Sequence, residues 1–203
     1  MKKGLLLIAI TALVVACYFI FAGNNDDEKS DEVKQQPLAR GKNSDAFNKP
    51  FNEMLNEYFA LTNAFVEWDT VAAGKAATAL GDLAAKVPYE KLTADTTIIA
   101  TAKSFSESVT AEAAGISGET TIEGMRRSFY TLSENLYNLL RTVQYDQQVI
   151  YHDKCPMAFN DSEEAYWISN SKKVINPYLG KAHPTYKATM LHCGEIKDSI
   201  KAD

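Results

Sequence analysis

The 203-residue chain is 46% hydrophobic and 23% charged, which fits a folded body and excludes a wholly disordered, collagen-like or polytopic membrane protein. Its 21 Lys plus Arg against 26 Asp plus Glu leave a net charge of -5, with no basic stripe interleaved with aromatics, so no nucleic-acid partner is expected. Three cysteines stand far apart at Cys17, Cys155 and Cys193, without the C-x-x-C pairs of zinc ribbons, thioredoxin-like sites or haem attachment.

Lys2 and Lys3 precede an uncharged run from Gly4 to Gly23. As a helix it is about 30 Å long, the thickness of a bilayer core. Asp26, Asp27 and Glu28 follow it, and positive charge on the near side leaves the rest of the chain beyond the membrane. Residues 1–23 are therefore expected to be a signal peptide or membrane anchor, and the protein periplasmic or cell-envelope. Val14-Val15-Ala16-Cys17 resembles a bacterial lipoprotein processing site, with Cys17 as the lipidated residue, whereas the apolar Tyr18 to Phe21 suit an uncleaved anchor. Simple cleavage is the third fate. Residues 24–44 are too polar to offset the entropy of ordering and read as a tether.

Residues 45–146 carry helical periodicity. Phe47, Phe51, Met54, Leu55, Tyr58, Leu61, Thr62 and Phe65 recur at steps of three and four, one face of a first helix. Asp69 is placed to cap a second, whose apolar face is read as Val71, Ala72, Ala76, Leu80, Leu83 and Val87, ended by Pro88. A third runs from near Asp95 through Ile98, Ile99, Ala102 and Phe105 to about Ala113, before the glycines of Gly115-Ile116-Ser117-Gly118. Thr120 with Glu123 has capping-box spacing for a fourth, seamed by Ile122, Met125, Phe129, Leu132, Leu136, Leu139 and Val143. Four such helices with short connections predict a mainly α protein, an antiparallel four-helix bundle. No di-iron site is expected inside it, because all three histidines lie after residue 150 and Glu53, Glu57, Glu67 and Glu123 read as solvated.

Residues 147–203 read as a small irregular β-containing C-terminal module packed on the bundle. Short apolar runs at Val149-Ile150-Tyr151, Ala165-Tyr166-Trp167-Ile168 and Met190-Leu191 are separated by Gly, Pro, Asn and Ser. Trp167, Tyr166 and Tyr178 are expected at its apolar centre, and His152 and His183 in exposed loops.

The soft ligands concentrate here. Cys155-Pro156-Met157 and Met190-Leu191-His192-Cys193-Gly194 offer thiolate, thioether and imidazole groups, which suit Cu(I) or a similar soft ion. On an extended chain Cys155 and Met157 share a side, as do Met190 and His192, whereas Cys193 faces away from Met190 unless Gly194 bends the backbone. The competing reading is a structural disulfide between Cys155 and Cys193, closing about 38 residues and contributing roughly 3 to 4 kcal/mol. Formed, it leaves no thiolate for metal. Neither a nucleophile with its base and orienting partner nor a phosphate loop is present, and no enzymatic activity is expected.

Tyr151-His152-Asp153-Lys154-Cys155-Pro156-Met157-Ala158, Trp167-Ile168-Ser169, Ile175-Asn176-Pro177-Tyr178-Leu179-Gly180, and Met190-Leu191 before Cys193-Gly194 together resemble the domain of unknown function 3347 family. That family occurs in exported bacterial proteins and fused to periplasmic adaptors of heavy-metal efflux pumps. The resemblance implies an extracytoplasmic metal-handling role, with copper the expected metal and an efflux adaptor a possible partner. Its matching positions are Cys155, Met157, Met190 and Cys193; His192 comes from the residue reading alone. Residues 181–189 form a longer stretch than the family pattern has, and His183 within it is an unassigned extra.

Overall fold

The stripe of the first helix is the buried face of α1 (Asp45–Glu67), where all eight periodic residues from Phe47 to Phe65 are removed from solvent. The computed structural model describes residues 43–201; the segment 1–23, with Cys17, and the tether up to residue 42 lie outside the described residues. Among the described residues no helix is long and apolar enough to cross a membrane.

α2 (Thr70–Ala84) starts as expected, with the Asp69 carboxylate accepting the Ala72 N–H at 2.8 Å. Its buried face is Ala73, Ala77, Leu80 and Ala84, and Val71 is 67% exposed. The stripe is rotated from the predicted one because small residues admit the neighbouring helix: a Cβ on Gly81 would lie 3.4 Å from that of Ala113. The helix also stops at Ala84, ahead of Pro88, and the chain turns through a 3-10 segment at Tyr89–Lys91.

α3 (Thr96–Gly118) is capped by Asp95 and runs past the predicted end, through both glycines. Gly115 marks a close approach, since a Cβ there would meet the Ser128 hydroxyl at 3.3 Å. For α4 (Ile122–Thr142) the cap is displaced by one residue: the Thr121 hydroxyl accepts the Gly124 N–H, while the Glu119 carboxylate accepts the N–H groups of Thr120 and Thr121. Each helix packs on the next in chain order, giving a helical bundle.

Three antiparallel strands follow, β1 (Ile150–Phe159), β2 (Glu163–Ser169) and β3 (Glu195–Ile200), in the order β2-β1-β3. The third strand lies beyond Gly194; Met190-Leu191, read from sequence as a strand, is in turns. An apolar pair alone does not make a strand without a free edge to join, and β1 offers its edge to 195–200. β2 packs on α4. Tyr58 of α1 ties helices to sheet, its hydroxyl accepting the Ile168 N–H at 3.0 Å and pairing with Ser133 of α4 at 2.8 Å. The aromatic core continues from Phe65 and Phe129 to Tyr178 and Trp167, all buried.

Candidate functional site

Cys155 sits on the central strand, fully buried, opposite Ala165 of β2. Beyond it the β1–β2 register slips before Phe159, where Pro156 has no N–H to give the ladder. On the other edge Lys154 pairs with Glu195. Gly194, at φ +139, is pressed so closely on this pairing that a Cβ would lie 2.6 Å from the Lys154 carbonyl and 3.1 Å from the Trp167 ring. Only glycine fits there. A turn closed by the Cys193 N–H to the Met190 carbonyl at 3.0 Å precedes it.

This bend places the Cys193 thiol near enough to Cys155 to influence its titration, and both cysteines are free thiols. The conflict between Met190 and Cys193 on a regular strand does not arise, because the segment is a turn.

Asn176 holds the arrangement from beneath. It is fully buried; its Oδ1 accepts the N–H groups of Tyr178 and Leu179 at 2.8 and 2.9 Å, and its Nδ2 donates to the Cys193 carbonyl at 2.6 Å. Burial pushes the Cys155 thiol pKa up; the Met157 backbone N–H and the Asn176 amide oppose this by favouring the thiolate, and the Cys193 thiol adds to the rise. The site is thus a buried thiol beside a half-exposed one.

Met157 and Met190 are half-buried and packed against the hydrophobic core. His192 is exposed, and its Nδ1 lies 2.7 Å from the Val174 carbonyl. A carbonyl only accepts, so Nδ1 carries the proton and Nε2 keeps its lone pair. Among the described residues no three His, Cys, Asp or Glu side chains are grouped to hold a metal ion. His192 therefore does not join the cysteine pair in such a group.

Three features escaped the sequence reading. His152 is buried on β1, not in a loop: it stacks on Tyr137 and Tyr166 at centroid distances of 3.9 and 4.9 Å and pairs with Glu134 of α4 at 2.7 Å. His183 is half-buried, edge-on to Trp68 at 5.5 Å. Asp153, two residues before Cys155, is fully buried with neither oxygen hydrogen-bonded, and burial pushes its pKa up to about 6 against the opposing influence of Ser169 and His152. Strand alternation, which puts Asp153 on the same side as Cys155, is the one signal that could have pointed to it.

A helical bundle bearing a small thiol-containing sheet is the class that fold and site define. Residues 54–148 match the model of the family described as Protein of unknown function (DUF3347), the family that the sequence motifs resemble. The match runs from within α1 through α4 and ends before β1, so the sulfur-bearing motifs that carry the resemblance lie outside it. No curated protein and no solved structure matches the chain.

Proposed function

We propose that this is an extracytoplasmic binding protein, tethered to the membrane by its N-terminal segment, which captures Cu(I) and passes it to a heavy-metal efflux system. The observation that carries the reading is the meeting of the buried Cys155 with the half-exposed Cys193, distant from it in sequence. Two neighbouring thiolates, one of them buried, favour a soft monovalent cation over hard divalent ions. Met157 and Met190 supply thioethers from the segments that carry the cysteines, and the Nε2 lone pair of His192 serves as an outer ligand during transfer. In this reading the four helices run alternately up and down as an antiparallel bundle, supported by their short connections and neighbour-on-neighbour packing.

Titration of the reduced protein with Cu(I) against a competing chelator tests it. Cys155→Ala and Cys193→Ala each weaken binding by about a hundredfold, and Met157→Ala and Met190→Ala by about tenfold, within the range for groups around a metal site. Unchanged affinity in the two methionine variants would remove the thioethers, and unchanged affinity in the cysteine variants would end the proposal.

The same nearness of the two thiols favours a second reading, in which oxidation joins Cys155 to Cys193 and the chain is a disulfide-held module for a protein partner. Alkylation and mass measurement of protein isolated without reductant distinguish the two. Free thiols with co-purified copper support the first, and blocked cysteines the second.

A further inference from the structure

On another part of the molecule the buried Arg126 of α4 opens onto a cleft of about 240 Å3. Arg126 is only 5% exposed. Its guanidinium lies 3.9 Å from the Trp68 ring centre, held there by Trp68 capping α1 in the left-handed conformation, φ 64, with the indole N–H donating to the Leu179 carbonyl at 3.2 Å. One long contact, Nη2 to the Phe65 carbonyl at 3.4 Å, is its hydrogen bond to protein, and Nε has no partner. Among the described residues no carboxylate pairs with it, and burial lowers its pKa to about 9.

A buried guanidinium without a counter-ion is costly unless something satisfies it. The other polar groups on the cleft are engaged or are donors. Glu123 pairs with Arg127 at 3.0 Å, and Asn160 donates to Glu163. His183 Nδ1 accepts the N–H groups of Thr185 and Tyr186, both at 3.2 Å, which puts the imidazole proton on Nε2 as a further donor. Burial and then the Arg126 charge lower the His183 pKa, keeping the ring in that neutral donor form. The walls are apolar, formed by Trp68, Ile122, Phe159 and Pro184.

We propose that the Arg126 cleft binds a small organic monoanion, a carboxylate on a compact apolar body. The planar guanidinium fork matches a carboxylate, its single charge suits a monoanion, and the volume lies below the usual pocket range of roughly 300–1,000 Å3.

Phenylacetate is the probe, with its uncharged isostere phenylacetamide and inorganic phosphate as comparators, and the full chain's tryptophan fluorescence and melting temperature as readouts. Phenylacetate is expected to give a saturable fluorescence change and to raise the melting temperature, with phenylacetamide and phosphate each at least about tenfold weaker, and Arg126→Met also about tenfold weaker, as for loss of a charge-assisted bond. Removing an unpaired buried charge leaves Arg126→Met able to fold; His183→Ala, at a half-buried loop position, provides a second location test and is expected to weaken phenylacetate severalfold. Phosphate or phenylacetamide binding as tightly as phenylacetate, absence of a saturable response, or wild-type affinity in both variants would each overturn the proposal. None of these measurements involves copper or the cysteines.

Discussion

Asp153 and Trp167 face each other across the β1–β2 ladder, both fully buried, and neither the carboxylate nor the indole N–H has a hydrogen-bond partner. The carboxylate's pKa is raised to about 6 from an ordinary value of 3.8, chiefly by burial. A raised carboxyl pKa means the folded state binds its proton more tightly than the unfolded chain, so stability falls as pH rises from about 4 to about 6 and the loss persists at neutral pH. Asp153→Asn is therefore expected to stabilise the protein by about 2–3 kcal/mol at pH 7, and to flatten its pH dependence between those limits. Denaturant unfolding at pH 4 and pH 7 checks this; equal gains at both would show that the carboxylate charge is not the cause.

The two thiols differ in access. Cys155 is fully buried with its pKa raised, while Cys193 is half-exposed. In the reduced native protein iodoacetamide is expected to modify Cys193 well before Cys155, and bound Cu(I) to protect both, with copper affinity rising with pH through and above the ordinary thiol range. Mild oxidation should join them and add about 3 kcal/mol to stability. Peptide mapping after timed alkylation gives the order, and equal rates at the two residues would contradict the burial of Cys155.

Gly194 is the hinge on which the pair depends. With φ at +139 and the Lys154 carbonyl 2.6 Å from a Cβ position, Gly194→Ala must push β3 away from β1. The expected loss is about 3 kcal/mol. The Cys155 alkylation rate is expected to rise with it, because the cover from Cys193 lifts off. Wild-type stability with wild-type alkylation would show that β3 does not need this approach.

The sequence made the helices legible where a stripe was continuous. Phe47 to Phe65 repeats at three and four without interruption, and that face is the buried one. It misled where size rather than hydrophobicity decides packing: Ala73, Ala77 and Gly81 admit the next helix while Val71 stays in water. The meeting of Cys155 and Cys193 depends on Gly194 and on strand register, neither of which periodicity reveals. The Arg126 cleft was illegible for a related reason. Position 126 is buried in a helix whose seam was read without it, and its stacking partner Trp68 reaches it through a left-handed cap.

Asn176 supports the thiol pair directly, and the two ends of its amide make separable demands. Asn176→Ala removes the acceptor of two N–H groups, at Tyr178 and Leu179, and the donor to the Cys193 carbonyl, all at a fully buried position. Buried groups left without partners cost about 1–3 kcal/mol each, so a loss of about 3 kcal/mol or more is expected in denaturant unfolding. Asn176→Asp keeps the acceptor but replaces the amide donor with a carboxylate facing the Cys193 carbonyl and the Cys155 sulfur. That change should push the Cys155 thiol pKa further up, read as a shift to higher pH in the alkylation profile. If Asn176→Asp leaves that profile where it stands in wild type, the amide does not act on the sulfur, and its role is confined to the Pro177–Leu179 turn.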